Sequence, residues 1–205
     1  MSLYSGLYAL LHNAVRGLYR IKITGAENEP KTGPCIVCAN HLSGSDVVII
    51  SASLTRQVRY MAKKELFKIP LLGQLIKVLG AYPIDRSGAD ISAIKKTIKL
   101  LNDGEMVGIF PQGTRYKGKE PTLENLKNGI AMIEYRAKAT ILPVYIKTKD
   151  NTVKFFKKTE LIVGKPISFE ELNFTECKTE EYKRVTEYIF GKIIELSEKD
   201  SDNGN

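Results

Sequence analysis

Apolar side chains at Leu3, Tyr4, Leu7, Tyr8, Leu11, Val15, Leu18 and Tyr19 recur at helical spacing, while Ser5, His12, Asn13, Arg16 and Arg20 collect largely on the other side. This pattern predicts an N-terminal amphipathic helix. The stripe suits a helix packed on the core, and equally one lying in a headgroup layer, where tyrosine and arginine fit the boundary. At Ile21, Lys22 and Ile23 the period shortens to that of a strand. Beyond the turn-rich stretch 25–34, Cys35 to Ala39 reads as a short buried strand running into Asn40 and His41. Ser45 stands where it can cap a helix continuing toward Arg56.

A strand around Val58 to Met61 precedes Glu65 to Gly80, where apolar residues fall on nearly every side and Pro70 divides a short turn from a helix. That helix is either buried or left greasy on its surface. Tyr82 to Ile84 reads as a strand, Asp90 to Asn102 as a helix closed by Gly104, and Met106 to Phe110 as a strand. A helix over Thr122 to Lys138, with Glu124 and Asn125 in its first turn, leads to a strand over Thr140 to Ile146. Strands are expected to dominate Val153 to Val163, and a last helix runs from about Glu180 to Glu198. The alternation predicts an α/β fold: a single domain with a largely parallel central sheet flanked by helices and an N-terminal amphipathic helix. Residues 1–24 form the helix and lead-in, 25–199 the main domain, and 200–205 a disordered tail.

At 205 residues the chain has room for one full core. Its 43% apolar and 26% charged residues exclude a disordered, collagen-like or coiled-coil chain. The net charge of +8 favours a polyanion, an anionic bilayer or phosphorylated small molecules. The basic residues are dispersed and form no recognised nucleic-acid module, so nucleic acid is not expected as a partner. Three cysteines are too few, and odd in number, for a disulfide-stapled scaffold; a reducing compartment fits better. No basic region precedes the first apolar stretch and no small-residue cleavage site follows it, so a removable signal peptide is not expected. Met1 to Val15 is interrupted by polar residues and falls short of the ~20 apolar residues a span needs, so membrane contact is expected to be peripheral.

In an open α/β sheet, ligands bind outside the carboxyl ends of the strands. Three segments at such ends carry reactive side chains: Asn40-His41-Leu42-Ser43-Gly44-Ser45-Asp46, Asp85-Arg86, and Pro111-Gln112-Gly113-Thr114-Arg115. On an unbroken helix His41 and Asp46 would splay by roughly 140°. The intervening Ser-Gly-Ser lets the chain turn and bring the carboxylate to the imidazole, where it would fix the tautomer and stabilise an imidazolium. The same spacing also suits a loop histidine with a structural hydrogen bond.

Arg86 and Arg115 offer forked donors to a phosphate, and Gly113 and Thr114 could add donors to a phosphate or a developing oxyanion. A local Asp85–Arg86 pair and a solvated Arg115 would explain them as well. No Gly-x-Ser-x-Gly elbow occurs and no histidine-paired thiolate is evident, so the simplest partner for His41 is a hydroxyl brought by a substrate, attacking directly. Cys35 and Cys38 lie three apart on a strand and point to opposite faces, which suits packing rather than a metal or redox site.

Four blocks, Asn40 to Asp46, Gly80-Ala81-Tyr82-Pro83-Ile84-Asp85-Arg86, Phe110-Pro111-Gln112-Gly113-Thr114-Arg115 and Ile141-Leu142-Pro143-Val144, resemble the ordered motif set of the glycerolipid acyltransferases, in particular the bacterial 1-acyl-sn-glycerol-3-phosphate acyltransferases. Met61 to Leu66 is also similar to that family. The resemblance implies that His41, in an H-x4-D arrangement with Asp46, is the general base on the free hydroxyl of lysophosphatidate. It implies a thioester of coenzyme A or acyl carrier protein as donor, and Arg86 and Arg115 as the groups holding the glycerol phosphate, with Gly113 and Thr114 shaping the loop. No metal or prosthetic group is implied, because a thiolate leaves readily, and the expected place of action is the cytoplasmic face of the cell membrane, against anionic membrane lipid.

Glycerol 3-phosphate or a lyso-aminolipid would be alternative acceptors, and a non-catalytic basic protein binding anionic lipid is the reading from another class. One residue departs from the family's usual Phe-Pro-Glu-Gly-Thr-Arg: Gln112 keeps hydrogen-bonding reach without the charge, which would leave more positive charge for the acceptor.

Overall fold

The computed structural model describes residues 12–84 and 91–202. Among them are seven strands: β1 (Ile21–Thr24), β2 (Cys35–Ala39), β3 (Val58–Lys63), β4 (Tyr82–Ile84), β5 (Met106–Ile109), β6 (Thr140–Lys147) and β7 (Thr159–Val163). They form one sheet in the order β1-β7-β6-β2-β5-β3-β4. From β6 to β4 the strands run parallel; β7 turns back antiparallel to β6, and β1 pairs parallel with β7. The sheet is therefore largely parallel, with two reversed strands at one edge.

Helices cover both faces, which is why β2 is buried at every position. Its alternate residues divide between two cores. Ile36 and Cys38 join Val107, Ile141 and Phe190 on one face, beneath α4 (Ile91–Asn102), α5 (Gly129–Ala137) and α6 (Thr179–Asp202). Cys35, Val37 and Ala39 join Ile49, Leu54 and Val144 on the other, beneath α2 (Asp46–Ser51). The helical stretch 12–18, α1, ends on this second face: Tyr19 is buried there, with Val15 and Leu18 packed beside it. The carboxyl end of the N-terminal stripe is thus core, and residues 1–11 lie outside the described residues. α3 (Leu72–Val78) follows a 3-10 turn at Lys64–Lys68, divided from it near Pro70 as the sequence predicts.

Three elements are shorter than their periodicity suggests. The helix after Ser45 ends at Ser51, because the chain turns and the backbone N–H groups of Thr55 and Arg56 donate to the Glu29 carboxylate. The helix expected from Thr122 begins only at Gly129: Asn125 sits at φ 58° and the Lys127 N–H is taken by the Pro111 carbonyl. The strand character expected from Val153 is confined to β7, since Phe156 adopts φ 58° and donates its N–H to Leu18. At the other end, α6 continues past Glu198 to Asp202, into the segment expected as tail.

Candidate active site

Register brings the site loops together. Cys38 stands opposite Ile109, so Asn40-His41 and Phe110-Pro111 leave the sheet side by side at its carboxyl edge. Asn40 is fully buried and extends the sheet with its side chain: Nδ2 donates to the Ile146 carbonyl at 3.0 Å, and Oδ1 accepts the Ile146 N–H at 2.7 Å. This pair of bonds fixes the point at which the chain leaves β2. The His41 ring then stacks on Phe110, with centroids 4.1 Å apart and planes at 17°. Its backbone N–H donates to Gln112 Oε1 at 2.7 Å, and its carbonyl accepts the Tyr116 N–H at 2.8 Å.

The turn through Ser43, Gly44 and Ser45 brings Asp46 back beneath the imidazole. Asp46 Oδ2 accepts His41 Nδ1–H at 2.7 Å, the Leu42 N–H at 2.7 Å and the Ser43 N–H at 2.8 Å. The carboxylate is fully buried, whereas the imidazole is 14% exposed. With Nδ1 held as a donor, Nε2 is left as the basic nitrogen, and among the described residues it has no hydrogen bond. A proton taken at Nε2 would leave an imidazolium whose charge faces a buried anion.

The second loop supplies a cation. A methyl placed on Gly44 would stand 3.2 Å from Arg115 Nη2, so that guanidinium lies against the His41 loop. Gly113 makes the approach possible: at φ 66° it donates its N–H to the Phe110 carbonyl at 3.0 Å and turns the chain. Gly113, Thr114 and Arg115 are exposed. Of the residues singled out in the sequence, His41, Asp46, Gly113, Thr114 and Arg115 meet at one edge; Arg86 and its neighbour Asp85 lie outside the described residues.

Three side chains gain parts that spacing did not assign. Gln112 is 2% exposed and faces inward to the His41 N–H, so an uncharged amide lies beneath that backbone. Phe110 is the platform for the imidazole. Ser45 occupies the cap position of α2 without a capping bond, because its Oγ accepts the Tyr19 hydroxyl at 2.8 Å. The motif blocks contained Gln112, Phe110 and Ser45, but only contacts across the sheet reveal what each touches. Cys35 and Cys38 do face opposite cores; burial pushes the Cys35 thiol up to about 12 and raises Cys38 as well, which makes both poor nucleophiles.

Residues 20–147 match the family described as Acyltransferase, and the chain belongs to that family of enzymes. Among its relatives is the 1-acyl-sn-glycerol-3-phosphate acyltransferase of Bacillus subtilis (strain 168), 35% identical over 182 residues that cover 87% of this chain and 89% of that protein. A protein of the same name from Borreliella burgdorferi is 32% identical over 141 residues, covering 68% of this chain and 54% of the relative. The fold is that of the 1-acyl-sn-glycerophosphate acyltransferase PlsC from Thermotoga maritima, with a TM-score of 0.70 over 98% of this chain and 84% of that one, at 22% identity.

Proposed function

We propose that this acyltransferase moves a fatty acyl group from a thioester of coenzyme A or acyl carrier protein to the free hydroxyl of 1-acyl-sn-glycerol 3-phosphate, giving phosphatidic acid. The observation that carries the reading is the 2.7 Å bond from His41 Nδ1 to the buried Asp46, which leaves Nε2 at the sheet edge where Arg115 also lies. Nε2 takes the hydroxyl proton as the oxygen attacks the thioester carbonyl. The new C–O bond forms, the tetrahedral oxyanion collapses, the C–S bond breaks, and the imidazolium returns its proton to the departing thiolate. Arg115, together with Arg86, holds the phosphate of the acceptor. The thiolate leaves without help from a metal or cofactor.

The reaction takes place with the enzyme docked peripherally on anionic lipid at the cytoplasmic face of a membrane. In support, Leu66, Ile69, Leu71, Leu72 and Leu75 are exposed on the connection that follows β3, which also carries Lys64, Lys68 and Lys77. Among the described residues, no helix is long and apolar enough to cross a membrane.

The test is thiol release by the purified protein given lysophosphatidate and each donor in turn, with glycerol 3-phosphate and a lyso-aminolipid as competing acceptors. His41→Ala is expected to reduce transfer by about 10²–10⁴-fold while vesicle binding persists. Undiminished transfer in that variant would remove His41 from the chemistry.

A further inference from the structure

The connection 148–158 between β6 and β7 is not used by the chemistry above, yet it carries an unusual sequence for an exposed loop. Lys154-Phe155-Phe156-Lys157-Lys158 sets two phenylalanines among three lysines, and these two residues are 60% and 69% exposed. Rings of this size are ordinarily covered, and adjacent exposed ones mark a contact surface. Their placement is fixed from below. Phe156 sits at φ 58°, in the left-handed region bulky residues avoid, and its N–H donates to the Leu18 carbonyl at 2.7 Å. The Phe155 ring packs 5.1 Å from Tyr19, whose hydroxyl donates to Ser45, the residue before Asp46.

The same connection forms one wall of a cleft of about 460 Å³ lined by Lys147, Lys149, Lys154, Lys157 and Lys158. Among the described lining residues the acidic ones are Asp150 and Glu160, which pair with Lys154 and Lys158. Strand directions put this surface at the carboxyl edge of the sheet. β6 runs parallel to β2, so its end at Lys147 lies beside the His41 loop, and the exposed leucines after β3 leave from the same edge.

We propose that the 148–158 connection is a docking element for an anionic bilayer: Phe155 and Phe156 enter the boundary of the acyl chains, and the lysine cleft beside them receives lipid phosphate. The pairing of bare rings with an excess of cations fits a surface that is anionic outside and apolar beneath. Such a surface is also planar, so it can engage the 148–158 connection and the leucines after β3 at once, with the His41 edge facing the lipid. The inference deepens the peripheral docking proposed above and rests on it.

Cosedimentation with vesicles of phosphatidylcholine, with and without phosphatidylglycerol, tests this in the absence of any substrate. The wild type is expected to prefer the phosphatidylglycerol vesicles. F155S/F156S should weaken that binding by about tenfold or more, F155L/F156L should keep most of it, and K154Q/K157Q/K158Q should erase the preference for the anionic lipid. Unchanged binding by the serine variant overturns the proposal. So does equal loss in the leucine variant, which would mean that the rings serve only to pack on Tyr19. A wild type indifferent to both vesicles overturns it in favour of an acidic protein partner. Transfer to a soluble short-chain acceptor is measured separately: its absence in the wild type would sink the acyl-transfer reading and leave the vesicle result standing.

Discussion

Gln112 brings no charge to the loop after β5, and its contact explains why an uncharged side chain suffices there. The task at that point is to accept the His41 N–H, which Oε1 does at 2.7 Å with the side chain almost wholly buried. A carboxylate there would bring a desolvation cost that the amide avoids. Gln112→Ala leaves the His41 N–H without its acceptor, so it is expected to lower stability by about 1–2 kcal/mol and to reduce acyl transfer as the imidazole loses its support. Gln112→Glu keeps an acceptor oxygen in place and should retain the fold. Thermal unfolding and turnover of the two variants check this, and equal behaviour of Gln112→Ala and wild type would show the bond to be dispensable.

Within the elements, β5 is shaped around one ring. A Cβ on Gly108 would stand 2.0 Å from Tyr60 Cε1, so that ring occupies the space a side chain would need. Tyr60 in turn stacks 6.2 Å from Phe110, and Phe110 carries His41 at 4.1 Å. The three rings run from β3 past the end of β5 to the loop after β2, and the bare Gly108 leaves the room that the first of them, Tyr60, occupies. Gly108→Ala must push Tyr60 aside. The expected result is a destabilisation of about 1–3 kcal/mol with a fall in kcat from the displaced imidazole, seen in denaturant unfolding and steady-state rates. A variant that loses stability but keeps the wild-type kcat would uncouple the ring stack from the site.

For the molecule as a whole, one buried carboxyl sets how stability responds to pH. Glu134, on α5, is fully buried, and desolvation is the main reason its pKa is pushed up to about 8; the Ala139 backbone N–H offsets this in part and the charge of Glu170 adds to it. The folded protein therefore keeps a proton that the unfolded chain has lost from about 4.5 upward, so stability falls as pH rises through that window and the penalty is complete above about 8. Glu134→Gln is expected to be more stable than wild type at pH 9, by a few kcal/mol, and to show a flatter dependence in urea titrations between pH 5 and 9. Equal slopes for the two proteins would place the pH response elsewhere. The alternation of strand and helix along the chain was enough to give the α/β class and the parallel bias, because each period follows from which faces an element must bury. It also gave the loops at which His41, Asp46 and Arg115 stand, since strand ends carry the polar residues that a buried strand excludes. What periodicity misjudged were the ends of α2, α5 and β7, where a distant carboxylate or carbonyl captures the backbone N–H groups that another turn or rung would have used. Distance along the chain carries no information about such partners: Glu29 for Arg56, Pro111 for Lys127, Leu18 for Phe156 and Gln112 for His41 meet only once the sheet has set its strand order.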